Sequence, residues 1–281
     1  MANVTYYPAQ KLSVVTGNNL SKEIQLVQSA DVDFSISRQD IYEFGNLFAV
    51  DNIQVEPSSA TLNFSYIVGT GINNHTSLGL NNLSSLLTDV TGRNYTLQGA
   101  GLLNIPSGSI TSYSVEGSVG NVPTVSVSVQ ALDASYTTGV SYPTYPAGDE
   151  TAINVVRPDQ IHIYLDGAEY ECRSFTYTLD IGREYINKLG QLTPIANIVT
   201  TPPKVTVDAE LILRHADNGN PKFGNNEEVD VSIRCGNNID FGVTGAKISN
   251  FTTNTSLDDI QIASITLERP IRNNGDITIS A

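Results

Sequence analysis

The stretch RQDIYEFGNLFAVDNIQVEPSSATLNFSYIV, residues 38–68, decides the reading of this chain, because residues 183–213 write it again as REYINKLGQLTPIANIVTTPPKVTVDAELIL. A shift of 145 residues aligns the two without a gap and pairs Arg38 with Arg183, Gly45 with Gly190, Asn52 with Asn197 and Pro57 with Pro202. Ile41, Leu47, Ile53, Thr61 and Ile67 also meet their own kind, giving nine identities in 31 positions, where unrelated segments would share about two. A second block, Ser109 to Gln130, falls on Lys247 to Glu268 with a shift of 138. It pairs Ile110 with Ile248, Tyr113 with Phe251, Val119 with Leu257 and Ser126 with Ser264. The two shifts differ by 7 residues, so one loop insertion in the first copy accounts for both. The period lies far above the roughly 20–50 residues of solenoids and propellers, and whole domains are repeated.

A length of 281 residues suits two domains, each able to bury a core. The expected division is an N-terminal arm at 1–31, a first domain at 32–131, a linker at 132–149 and a second domain with its C-terminal tail at 150–281. The linker holds Tyr142-Pro143-Thr144-Tyr145-Pro146-Ala147-Gly148 and shows no periodicity. The opening Met-Ala-Asn-Val-Thr-Tyr-Tyr-Pro has neither a basic nor an apolar region, which predicts no secretory signal. No apolar run approaches the roughly 18 residues of a membrane span.

Alternation marks the strands. In Lys204 to Leu213, Val205, Val207, Ala209 and Leu211 share one face, while Thr206, Asp208 and Glu210 share the other. Leu62, Phe64, Tyr66 and Val68 alternate in the same way with Asn63 and Ser65, as Val125, Val127 and Val129 do with Ser126, Ser128 and Gln130. Period two with one apolar face predicts a mainly β protein: two tandem β-sandwich or half-barrel domains. Each is expected to carry at most one short helix. In the first copy this falls at Asn81 to Val90, where leucines at 83, 86 and 87 have helical spacing. In the second, His215 to Glu228 reads as an exposed loop. Ile41 and Phe44 stand three apart, which reads as a helical turn or bent connection ending at Gly45, a position suited to positive φ.

Chemistry is sparse. The chain has no Walker A loop, no Gly-x-Ser-x-Gly elbow and no His-Glu-x-x-His, and its glycine pairs (Gly69 with Gly71, Gly99 with Gly101) suit turns. Asp217-Asn218-Gly219-Asn220 lacks the spacing and distal glutamate of a calcium loop. The histidines, His75, His162 and His215, stand at no ligand spacing to Cys172 or Cys235, and Cys235 reads as a small buried hydrophobe. We therefore expect no catalytic residues, no metal and no cofactor. A net charge of −14 argues against a nucleic-acid grip, which needs a basic footprint.

Phe175-Thr-Tyr-Thr-Leu-Asp-Ile through Leu189-Gly190, followed by Val205-Thr-Val-Asp-Ala-Glu-Leu, resembles the opening of a tailed-bacteriophage tail tube domain. The run Ile110-Thr-Ser-Tyr-Ser-Val-Glu-Gly-Ser-Val-Gly-Asn-Val-Pro and the strand after it resemble the closing part of phage tail proteins. The resemblance covers about residues 32–131 and 175–269. It implies a structural virion protein whose subunits join sheets around a ring, stacked rings forming the conduit for DNA ejection. A duplicated member would form homotrimers with pseudo-sixfold symmetry, built in the host cytoplasm and carried in the virion tail. Implied partners are the chain itself, a tape measure, a baseplate or terminator and, in contractile tails, a sheath, with viral DNA passing unbound and no membrane involved. Asn63, Ser65, Ser126, Ser128 and Gln130, with Asp208, Glu210, Ser264, Thr266 and Glu268, are the candidates for the lumen face. Arg38, Gly45 and Pro57, with Arg183, Gly190 and Pro202, define the repeat. Two alternatives stay open: a tail-end or baseplate hub ring of the same fold, and a receptor- or carbohydrate-binding β-sandwich.

Overall fold

In the computed structural model, which describes residues 11–15, 21–70, 74–89, 92–98, 102–137, 154–200, 202–213, 227–236, 238–255 and 261–280, alternation yields strands nearly throughout. The first copy comprises β1 (Lys11–Val15), β2 (Ser21–Ile24), β3 (Val27–Ser35), β4 (Arg38–Tyr42), β5 (Ala49–Gln54), β6 (Ser59–Ile67) and β7 (Gly69–Thr70). Helices α1 (Asn74–Ser77) and α2 (Leu83–Thr88) precede β8 (Arg93–Gln98), β9 (Leu102–Ser118), β10 (Thr124–Ala131) and β11 (Ser135–Thr137). The second copy comprises β12 (Asn154–Val155), β13 (Ile161–Leu165), β14 (Ala168–Asp180), β15 (Arg183–Ile186) and β16 (Ala196–Val199). It continues through β17 (Lys204–Leu213), β18 (Glu228–Cys235), β19 (Ile239–Thr255), β20 (Gln261–Pro270) and β21 (Ile277–Ser280).

Each copy closes a barrel, which removes most of its strand edges. In the second, the order is β13-β18-β19-β20-β17-β14, and β13 pairs β14 to shut it. In the first, β1 pairs β8, and β9, β10, β6 and β3 follow. The bend at Gln25–Leu26, where Leu26 takes φ 59°, lets β2 run on into β3 and close against β1. The repeat extends to register. Asp33 faces Thr61 as Thr178 faces Thr206, and Gln130 faces Ser109 as Glu268 faces Lys247. Even the bulged residues correspond: Gln28 with Arg173, and Thr111 with Ser249.

The inner faces hold Leu62, Phe64 and Tyr66, Val125 to Val129 in alternation, and Phe175, Tyr177 and Leu179 with Val205 and Val207, all buried. Burying each such side chain contributes roughly 1.5–3 kcal/mol. The copies are not separate bodies. Strand β9 pairs β14 from Ser112 opposite Asp180 to Ser118 opposite Ser174, so one sheet runs β3-β6-β10-β9-β14-β17-β20-β19 across the repeat. Gly117 permits the close approach there, since a Cβ would stand 2.5 Å from Cε1 of Phe175.

Four expectations need correction. Arg38 to Phe44 is not a helical turn. It forms β4, paired with β5, and Phe44 stands beyond the strand in the turn with Gly45, so the three-residue spacing of Ile41 and Phe44 spans a strand end rather than a helix. Gly45 and Gly190 do take positive φ, 89° and 86°, at the tips of equivalent hairpins. The N-terminal segment, set apart as an arm at 1–31, supplies β1 and β2 to its own barrel, with Leu12 and Val14 fully buried against β8. The first copy has two helices rather than one. Helix α2 starts as expected with Asn82 capping the Ser85 amide. Helix α1 has no periodic signal and is held by Asn74, whose side chain bonds the Gln25 backbone through both its oxygen and its nitrogen. The start of the 32–131 domain also moves, because β3 begins at Val27 and the barrel needs β1. Residues 16–20, the linker from 138 onward and most of the 215–228 loop lie outside the described residues.

Asp276 ties the end of β20 to β21. Its carboxylate accepts from the Arg272 amide at 2.6 Å and the Asn273 amide at 3.2 Å, and meets Arg269 at 3.4 Å. Burial alone would raise its pKa, but these amides and the guanidinium outweigh burial and hold it below the ordinary 3.8. A carboxylate depressed in the folded state stabilises fully above its unfolded pKa and loses that contribution as pH falls through the folded value. Asp276→Asn is therefore expected to cost about 1.5–3 kcal/mol at neutral pH. The cost should shrink in urea titrations as pH falls below the ordinary carboxylate value and the wild type itself becomes protonated.

Candidate functional site

The face of the shared sheet that turns away from the core is mostly polar, with Ile67 and the cross-strand pair Ile212 and Ile262 also on it. Ser126 faces Ser65 and Ser128 faces Asn63 across β10 and β6, while Thr266 faces Asp208 and Ser264 faces Glu210 across β20 and β17. Gln130 and Glu268 end their respective rows opposite Thr61 and Thr206. All ten residues singled out by alternation thus lie on one surface. Neighbouring side chains lock it: Ser128 donates to Asn63 at 2.7 Å, and Thr266 to Asp208 at 2.6 Å. Across the junction, the Ser114 and Thr178 hydroxyls stand 3.1 Å apart. The alternation reading missed Asp31 and Asp33 on β3, Glu116 on β9 and Thr176 on β14, which complete the same face. The alternation in Asp31-Val32-Asp33-Phe34 carried the signal, although the register that joins it to Asn63 and Thr61 did not.

The bases at one end of this face are Lys204, 3.1 Å from Glu268, and Lys247, cross-strand from the same glutamate. Elsewhere hydroxyls, amides and carboxylates dominate. Such a surface offers a polyanion few cations and repels it at range.

The edges of this sheet are open. Among the described residues, no strand pairs β3 on the side away from β6, nor the Thr252–Thr255 end of β19 on the side away from β20. These are the repeat equivalents of the two partners, β14 and β9, that pair inside the chain. The effect on burial is direct: Tyr177 and Leu179 are fully buried, whereas their counterparts Val32 and Phe34 are half-buried and 40% exposed.

Two hairpins project beside the sheet. β15–β16 is seated on the first copy. Arg183, half-buried, donates to the Leu86 carbonyl at 2.6 Å and the Asp89 carbonyl at 3.2 Å, at the C-terminal end of α2, where a cation is favoured. Asn197 is buried and donates to Ser109 at 3.0 Å, and the Tyr185 hydroxyl donates to the Gln130 carbonyl at 3.4 Å. The equivalent hairpin β4–β5 is exposed from Arg38 to Ile53, including Tyr42, Phe44, Leu47, Phe48 and Val50. Arg38 and Arg183 therefore hold one position in the repeat but differ in surroundings. Pro57 and Pro202 each precede the long strand that follows the hairpin, β6 and β17.

Among the described residues no three His, Cys, Asp or Glu side chains converge as a metal site. The cavity lined by Tyr66, His75, Tyr113 and Phe241 measures about 10 Å³, far below what an organic ligand needs, while open grooves of about 470 and 480 Å³ lie beside α2 and β21 and over the β9–β14 junction. No described helix is long and apolar enough to cross a membrane. No protein-family model matches the chain, and no curated protein matches it in sequence.

Proposed function

We propose that this chain is a structural subunit of a bacteriophage tail tube, three copies closing a ring of six barrels whose polar sheet face lines the path of the DNA. The observation that carries the reading is the β9–β14 junction: the chain already performs once, within itself, the edge pairing that a ring repeats. Its outer edges, β3 and the end of β19, are the two halves of the next such junction. A contact of this head-to-tail kind generates a ring where the rotation closes. The acidic and hydroxyl face then lets DNA slide without being held, and other tail proteins cap or thread the tube. The resemblance of the Phe175–Leu211 and Ile110–Ala131 stretches to tail tube domains supplies the biological setting.

Mass photometry and negative-stain electron microscopy across a concentration series test this. The expected result is particles of three chains with a central hole, stacking into tubes. Rings that never stack would move the chain to the tail-end or baseplate hub reading. A monomer at every concentration would overturn ring assembly and favour a receptor- or carbohydrate-binding module.

A further inference from the structure

The seated hairpin β15–β16 and the bare hairpin β4–β5 are built alike. Arg38 faces Gln54 and Asp40 faces Asn52 in one, as Arg183 faces Val199 and Tyr185 faces Asn197 in the other. Asn197 is 6% exposed because the first copy covers it, whereas Asn52 is exposed and no described part of its own chain covers it. The seat under Asn197 and Tyr185 consists of the cross-strand pair Ser109 and Gln130. The same repeat that relates the hairpins relates this pair to Lys247 and Glu268, which are cross-strand partners at the matching place on β19 and β20.

We propose that β4–β5 latches onto the β19–β20 rim of a neighbouring copy of this chain, with Asp40 and Asn52 receiving the ammonium of that copy's Lys247. This names the partner surface of the ring proposed above and rests on that reading for the neighbour's placement. Substitution has changed the chemistry of the latch while its geometry is retained. Inside the chain its centre holds no ion pair: a buried amide sits on a serine hydroxyl and a half-buried tyrosine on a backbone carbonyl, with Arg183 on the carbonyls of α2 beside them. Between chains Tyr185 becomes Asp40 and Ser109 becomes Lys247, so the contact is ionic. The exposed hairpin already presents a matching acceptor, since Asn52 Nδ2 donates to Asp40 Oδ1 at 2.6 Å and leaves the second carboxylate oxygen for an incoming cation. Arg38 bonds Asn52 at 3.4 Å and steadies the amide from the other side. The covered latch within a chain uses no pair of opposite charges and is backed by the β9–β14 pairing, so salt leaves it largely intact. An exposed ionic one is screened once the Debye length falls to a few ångströms, so salt weakens contacts between chains and leaves those within a chain intact.

The test is the oligomer distribution of wild-type, Asp40→Lys, Lys247→Asp and doubly swapped protein, followed by mass photometry in about 0.05 M and 1 M salt. Each single reversal is expected to raise the concentration for half-assembly about tenfold at low salt, with the circular dichroism of the monomer unchanged. The double swap should restore assembly, and 1 M salt should erase the difference among all four. Rings that form equally well in every variant would overturn the latch and leave the ring reading standing, as would a double swap that fails to rescue. A wild-type chain that never assembles would remove both.

Discussion

Replacing Asp33 and Thr252 together by cysteine is expected to seal the chain into a covalent ring of three under oxidising conditions. The reason lies in the register inside the chain. Ser114 stands opposite Thr178 with their hydroxyl oxygens 3.1 Å apart. The repeat carries Ser114 onto Thr252 and Thr178 onto Asp33. Directly opposed residues in an antiparallel pair have Cα atoms about 4.5–5.5 Å apart, within the range a disulfide spans. Both positions are exposed in the single chain, so neither cysteine disturbs the core. The native thiols do not compete. Burial pushes Cys172 and Cys235 up to about 12, which leaves almost no thiolate at neutral pH. A non-reducing gel should show bands of one, two and three chains and nothing larger, collapsing to one on reduction. A ladder running past three would mean an open helical assembly. Asp33→Cys with Ser264→Cys, one strand further in, is the control. Equal cross-linking by that pair would remove the proposed register.

The comparison between sequence and structure turns on how local each signal was. Val205 to Leu211 announced both its strand and its buried face, because alternation reports a local property that one sheet face imposes. Gly45 and Gly190 announced their conformation because a hairpin tip with positive φ excludes most side chains. The ten polar-face residues were legible as polar for the same reason as Val205. Their union on one surface was not, since that depends on β9 meeting β14, a pairing no local pattern encodes. The spacing of Ile41 and Phe44 resembles a helical turn because Phe44 lies past the end of β4, in the turn, where strand alternation no longer applies. Strand β1 is legible from Leu12 and Val14, but its place in the first barrel is not, because their burial comes from a partner, β8, about eighty residues away. The repeat itself was the most informative reading. Applied a second time to the folded chain, it turns an internal junction into a prediction about neighbours.

Phe241→Ala is expected to destabilise the protein by about 3–5 kcal/mol and to lower a single unfolding transition rather than one of two. Phe241 is 1% exposed and packs against Tyr177 of its own copy, with ring centroids 5.9 Å apart. It also packs against Tyr113 of the first copy at 6.5 Å, and Tyr113 shares a 3.4 Å hydrogen bond with Tyr66 deeper in that barrel. Truncation therefore leaves a void with walls from both copies. Tilted ring pairs of this kind also contribute about 0.5–1.5 kcal/mol beyond the area they bury, and both are lost. Independent domains would respond in calorimetry with one shifted and one unshifted peak. A shared core and a continuous sheet demand that the peaks move as one, because opening the second barrel strips Tyr113 and the β9 edge of their partners. Phe241→Leu keeps most of the volume and should cost less than about 1.5 kcal/mol, which separates the cavity from loss of the ring contacts. Two resolved transitions in the wild type would show that the copies fold separately, and the rigid junction on which ring geometry depends would then have to form only on assembly.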